Sequence, residues 1–151
     1  MTDPIKVRIM KTLETMLAEI PELGSIHRWE EIPVDLATLE LPALFYWEEE
    51  DREIRNRIAW NTLSLNLAVF DRLVSYDGPG YQQFSDLADV LAAKISNKLA
   101  IPQTLRAAGL ISLEEQAVRK ALANEEYGEL AMSFTLIYGH AVGDAFSTDF
   151  S

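Results

Sequence analysis

The stretch LAMSFTLIYGHAVGDAF, Leu130 to Phe146, decides the fold. Leu130, Met132, Phe134, Leu136 and Tyr138 alternate with Ala131, Ser133, Thr135 and Ile137. A period of two puts one set on each face of an extended chain, so the spacing predicts a half-buried strand over 130–138. Gly139 and Gly143 then predict a corner, which raises the question of whether His140 and Asp144 bring chemistry to the strand's end. Their spacing of four would align them on a helix, but two glycines disfavour one there. One histidine and one carboxylate also fall short of the three or four ligands a metal site uses. The expectation is a turn after an exhausted strand, with no catalytic, metal or cofactor site.

Working backwards, ALFYWEEEDREIRNRIAWNTLSLNLAVFD, residues 43–71, reads as a long β-hairpin with its turn near Glu50 to Glu53. In the second arm Leu63, Leu65, Leu67 and Val69 alternate with Thr62, Ser64, Asn66 and Ala68, giving one apolar and one small or polar face. Nearer the turn the phase inverts. Ile54, Ile58 and Trp60 occupy the other parity with Arg55 and Arg57 among them, which predicts a bulge or an arm projecting from the domain. Arg52, Arg55, Arg57, Ile58 and Trp60 are therefore candidate interface residues, because Trp and Arg are enriched among interface anchors.

The remaining chain supplies helices. Asp3 and Pro4 read as N-cap and first helical residue, and Ile5, Ile9, Leu13, Met16, Leu17 and Ile20 recur at helical spacing up to Pro21. Residues 26–32 predict a short edge strand, and PVDLATLELP a loop. DGPG at 77–80 is a turn before a second amphipathic helix carrying Phe84, Leu87, Val90, Leu91, Ile95 and Leu99. Between Pro102 and Gly128 two readings compete. Ser112 with Glu115 forms a capping box ahead of Leu113, Ala117, Val118, Ala121 and Leu122 at helical spacing, whereas GLISLEEQAV could begin as a strand. Together these elements predict an α+β fold, a mainly antiparallel sheet with a long hairpin arm and two or three helices on one face, in one domain spanning residues 1–151.

Composition bounds the function. The chain has 151 residues and a formal net charge of −11 from 24 acids and 13 bases. Glu30 to Glu53 holds nine acids and one base, and residues 121–151 hold five acids and none. Such a surface repels phosphate backbones, which disfavours sequence-specific DNA binding. There is no cysteine, hence no disulfide or thiolate metal site. The opening MTDPIKVRIMK lacks a secretory pattern, and no apolar run approaches a membrane span, so a soluble protein is expected.

No catalytic set stands out. His27, Glu30 and Glu31 in HRWEE lack the second histidine of a zinc helix, and Glu48 to Glu53 lacks the Asp/Asn and Gly spacing of a calcium loop. DGPG is not a phosphate loop. Trp29, Trp47 and Trp60 could stack on bases, but in a chain this acidic they read as core or interface anchors. A non-enzymatic protein is expected.

The order of these pieces resembles the tail terminator proteins of long-tailed bacteriophages, the group including the lambda-type minor tail protein U and the tail-to-head joining proteins. The matching pieces are the N-terminal helix, LELPALFYW leading through Leu41 and Pro42 into a strand, the long hairpin, the helix around FSDLADVLAAKI, and EEYGELAMSFTLIYGHAVGDAF. The segment 102–123 departs from the pattern, being longer and more helical. The resemblance implies a virion structural protein of tail and neck, assembled in the bacterial host cytoplasm without a cofactor. It implies a homohexameric ring that caps the tail tube and meets a head-side connector or stopper, with a tail sheath as a further partner. DNA would pass through its lumen without specific binding. Asp144 and Phe146, at the head of the 144–151 tail, join the candidate interface residues on this reading. Two alternatives stay open: another neck or tail component, such as a connector or tube protein, or a small adaptor domain that needs no ring.

Overall fold

The computed structural model describes residues 3–28, 35–73, 79–100 and 103–146. Helix α1 (Ile5–Ala18) is followed by β1 (Ser25–Arg28), a 3-10 turn (Leu36–Thr38), and the two hairpin strands β2 (Ala43–Arg55) and β3 (Ile58–Arg72). Helices α2 (Pro79–Ala100) and α3 (Gln103–Ala108) come next, then β4 (Leu110–Leu122) and β5 (Tyr127–Ala141). The fold is α+β: one five-stranded sheet in the order β1-β2-β3-β5-β4, antiparallel except for the β1–β2 pair.

Alternation decides which face is buried. Leu63, Leu65, Leu67 and Val69 of β3 share a face with Leu130, Met132, Phe134, Leu136 and Tyr138 of β5, and all are buried. Ile5, Ile9, Leu13, Met16 and Leu17 of α1 pack against them, as do Phe84, Ala88, Leu91, Ile95 and Leu99 of α2 and Leu105 of α3. These helical sets recur every three or four residues, which lays one stripe of each helix on the sheet. Val90, expected on that stripe, is instead exposed. α1 starts one residue later than expected, with Pro4 as its N-cap, and ends at Ala18 before Pro21. β1 covers only Ser25–Arg28 of the predicted edge strand; residues 29–34, including Trp29, lie outside the described residues, as do Asp77 and Gly78 of the predicted turn.

Four expectations change. The hairpin turn is not at Glu50–Glu53: those residues are extended in β2, and the chain reverses at Asn56 and Arg57, whose φ angles of 53° and 67° are both left-handed. Two left-handed central residues match a two-residue hairpin turn to the twist of its strands, and Asn tolerates that conformation well. No bulge interrupts β2–β3, whose register runs unbroken from Ala43↔Phe70 to Arg55↔Ile58. The arm does not project either, because β5 pairs with β3 out to Ile58↔Ala141. The core parity of β3 continues through Asn61 and Ala59 while Ile58 and Trp60 sit on the opposite face, so no inversion of phase is needed.

The helix reading of residues 112–122 is also overturned. β4 is a strand paired with β5, with bulges between Leu110 and Ser112 and between Glu115 and Ala117. The alternative strand reading is the observed one. Finally, β5 runs on to Ala141, so Gly139 and His140 are strand residues and the corner falls at Val142 and Gly143, where Gly143 has φ 89°.

Candidate functional site

The hairpin tip, the end of β5 and the start of α1 converge at one end of the sheet. Val142 N–H donates to the Arg57 carbonyl at 2.9 Å, tying the corner to the turn, and Ile5 N–H donates to Ala145 O at 2.9 Å. Asp144 holds the bend after the corner: its N–H donates to Ala141 O, and its Oδ1 accepts from Phe146 N–H at 3.2 Å. The Arg8 guanidinium donates to the Phe146 carbonyl, and the Phe146 ring is 43% exposed. A strand end, a turn and a helix start thus meet largely through backbone bonds, and Arg57, Val142, Asp144 and Phe146 stay exposed there.

All seven sequence-predicted residues, Arg52, Arg55, Arg57, Ile58, Trp60, Asp144 and Phe146, lie at this end. They divide between faces. On the face away from the helices, the Arg55 guanidinium sits 5.6 Å above the Trp60 ring and 3.5 Å from Glu53, with Ile58 directly opposite Arg55. On the helix face, Arg52 Nε donates to Asn61 Oδ1 at 2.7 Å, and Ile54 is 61% exposed. Arg57 is exposed at the turn itself. The pair Ile54 and Trp60 is therefore separated by the thickness of the sheet.

Beneath α1's first turn lies a polar cluster that sequence reasoning missed. The Tyr138 hydroxyl donates to Glu50 Oε2 at 2.5 Å; Lys6 Nζ is 3.8 Å and Arg52 Nη2 3.9 Å from the same carboxylate. Burial, and then the Glu50 carboxylate that accepts its proton, push the Tyr138 hydroxyl above its ordinary pKa. Tyr46, which donates to Glu14 at 2.5 Å, is shifted the same way for the same reasons. Asn61 is fully buried and His140 nearly so. His140 Nδ1 donates to the Ala141 carbonyl at 2.9 Å, and its Nε2 has no hydrogen-bond partner among the described residues. A cavity of about 180 Å³ lies beside it, lined by Pro4, Lys6, Glu50, Arg52, Tyr138 and His140 among others. Asp144 does not line it. The parity of β2 and β3, carried past their apolar residues to Glu50, Arg52 and Asn61, was the available signal.

The second feature is the sheet face that no described helix covers. Thr62, Ser64 and Asn66 of β3 lie directly opposite Ile137, Thr135 and Ser133 of β5, so small side chains form its centre. Phe45 packs between the His27 ring at 5.1 Å and the Phe70 ring at 5.8 Å at one end, and Trp60 lies at the other. A shallow depression of about 380 Å³, with Trp47, Asn66, Ala117, Arg119 and Ser133 among its walls, runs toward β4. Glu49, Asp51 and Glu53 share this face, since they pair with Ser64, Thr62 and Trp60. Such a surface suits close approach of another surface, not the enclosure of a small molecule. No group of three or more His, Cys, Asp or Glu side chains placed to hold a metal occurs among the described residues, and no described helix is long and apolar enough to cross a membrane.

No protein-family model matches the chain, and no curated protein matches it. Among solved structures it is similar to a chain of one described as "Virion of native gene transfer agent (GTA) particle", at 9% identity over 91% of this chain and 92% of that one. The TM-score is 0.42, a likeness too loose to assign a shared fold or role.

Proposed function

We propose that the protein is a structural component of a long-tailed phage-type particle, a tail terminator whose copies form a ring that caps the tail tube and receives the head-side connector. The observation that carries the reading is the element order, helix, β-hairpin, helix and closing strand, arranged as the resemblance implies, with all the helices on one side of the sheet. That arrangement leaves the other face, built of small side chains and edged by acids, for a neighbouring copy or a lumen. In a ring, the acidic β2 would keep passing DNA from adhering, since phosphate binding depends on basic side chains releasing counterions. The tip residues Arg55, Ile58 and Trp60 together with Phe146 would contact a neighbour or the tube end, an arginine and two aromatics being the usual anchors of such contacts.

Closure works against repulsion between copies that each carry a charge of −11. Its long-range part is screened over about 8–10 Å at physiological salt. Ring formation should therefore strengthen with salt or on a tube end that supplies a template. The test is electron microscopy of purified protein mixed with tail tubes, alongside light scattering across salt and concentration. Rings seated on tube ends are expected. Bare tube ends, with no ring in any condition, would leave a small adaptor domain as the better reading.

A further inference from the structure

Strand β4 forms one margin of the sheet: β5 pairs with it on one side, and no described strand lies on the other. It is a long edge for a protein to leave open. Its exposed side chains include Val118, 46% exposed, and Leu122, 58% exposed. Exposed edges recruit other strands unless they are short, covered, bulged or charged; β4 is long and uncovered by any described strand, and its bulges and its charges Glu114, Glu115, Arg119 and Lys120 restrict it to a partner that matches them. We propose that β4 is a self-complementary interface, pairing antiparallel with β4 of a second copy about a two-fold axis that passes beside Val118.

The pairing with β5 fixes which way each β4 side chain points. Leu113, Glu115, Val118 and Lys120 are opposite Leu136, Phe134, Met132 and Leu130, the core-facing residues of β5, so they share the helix face, and Leu122 follows Lys120 by one period. Glu114, Ala117, Arg119 and Ala121 take the other face, and Gln116 is the extra residue of the bulge. A second copy placed edge to edge must keep both faces in phase, which restricts the register to steps of two.

One step satisfies the side chains. With Val118 opposite Val118 of the second copy, Glu115 of each copy faces Lys120 of the other, and Leu113 faces Leu122. Glu114 and Arg119 meet only alanines, at 121 and 117. Leu113, Val118 and Leu122 then each find an apolar partner, and Glu115 and Lys120, which within each copy already meet Ser96 and Asp89 of α2, each face an opposite charge, twice over. Shifting one step in either direction sets Glu115 or Lys120 against Val118 and a second charge against a leucine. Shifting two steps brings Glu115 against Glu115 or Lys120 against Lys120 on the axis, and like charges directly opposed destabilise a strand pair. The bulge residue Gln116 of each copy falls beside the 119–120 step of the other, so the pair carries the irregularity twice, symmetrically about the axis.

This contact is isologous and closes at two copies, whereas a ring needs head-to-tail contacts. It therefore goes beyond the ring reading and does not depend on it. It describes the protein away from any tube, where pairing the edge with itself also protects it from unrelated strands.

A chain without cysteine makes the test direct. Val118→Cys places one thiol per copy on the axis, while Arg119→Cys places its thiols on the other face, two residues off the directly opposed position. Under mild oxidation the Val118→Cys protein should form a covalent dimer at least about tenfold faster than the Arg119→Cys protein, whose thiols are diagonal rather than opposed. Sedimentation at physiological salt should show a reversible dimer of the unaltered chain, weakened by about tenfold or more in Val118→Arg, which sets two like charges face to face. A chain that stays monomeric at all concentrations, equal cross-linking at the two positions, or undiminished association of a folded Val118→Arg protein would each overturn the proposal. Should Val118→Arg fail to fold, the ratio of the two cross-linking rates decides alone. Rings on tube ends without selective cross-linking of the Val118→Cys protein would refute this interface and leave the terminator reading intact; the reverse result would do the opposite.

Discussion

Gly128→Ala, a change that would ordinarily help a strand, should destabilise this one. Gly128 lies in β5 between Asp71 of β3 and Leu122 of β4. A Cβ built there would come within 3.0 Å of Cγ, Cδ2 and Cε2 of Phe84. Those atoms are the body of a buried ring on α2, not the movable end of a side chain, so relief requires the ring or the helix to shift. Overpacking of this kind costs about 1–3 kcal/mol. Against it stands a gain of about 0.5–1 kcal/mol from removing a strand glycine's freedom in the unfolded chain. At the midpoints of these ranges the clash wins, leaving a net loss of about 1 kcal/mol, which at this chain length lowers the melting temperature by about 2–4 °C. Circular dichroism melts of the two proteins measure it. A double-mutant cycle adds the mechanism: Phe84→Leu vacates the space the new methyl needs, so the double variant should be at least about 1 kcal/mol more stable than the sum of the single losses. A Gly128→Ala protein as stable as the parent, or additive losses in the cycle, would refute the steric account.

Three further outcomes are expected. Tyr46 and Tyr138 are held protonated in the fold, with pKa values raised above the unfolded one. Their contribution is complete below the unfolded value near 10 and declines as pH rises from there toward the raised folded values, by at most about 1.4 kcal/mol per pH unit for each tyrosine. Denaturant melts at pH 9 to 11 should show that slope, and Tyr138→Phe should flatten it. Arg57→Gly should raise stability by about 0.5–1 kcal/mol, because a left-handed φ of 67° costs an arginine what it does not cost glycine; a drop in the denaturation midpoint would show that the Arg57 side chain holds the turn. Trp60→Ala combined with Arg57→Ala should leave the circular dichroism spectrum unchanged while impairing assembly on tube ends, and normal assembly would remove the tip from the interface.

The two central strands were legible because nothing disturbs their period of two: β5 alternates through Tyr138, and β3 from Asn61 to Val69, and both faces follow from the letters alone. β4 was not legible, for a geometric reason. Its two bulges shift the alternation, so that Leu110, Leu113, Val118 and Leu122 share a face at separations near those of helical neighbours, and the Ser112–Glu115 pair imitates a cap. The turn was misplaced because Asn56–Arg57 carries no glycine, while the acidic run beside it looked like a solvated tip. The seven candidate residues fall at one end of the molecule but on both faces of the sheet. Arg52 and Ile54 lie on one side of the sheet and Arg55 and Trp60 on the other, a distinction that depends on where the chain reverses. The Glu50–Tyr138 contact joins strands far apart in sequence, and no local pattern announces it.

The strand order β1-β2-β3-β5-β4 has a consequence for how the chain is made. β4 leaves the ribosome before β5, yet it reaches the hairpin only through β5, which must slot between the two. Until that strand emerges, β3 has one side without a partner, and half of the apolar layer, from Leu130 to Tyr138, does not exist to be covered. A translation product interrupted between β4 and β5 thus has three helices, a hairpin and a loose strand but no closed layer, and is open to proteolysis. Only chains that have acquired β5 can offer a neighbour a formed surface. An assembly drawing on a crowded pool of nascent and interrupted copies would be kept free of defective members by topology, without a separate inspection step.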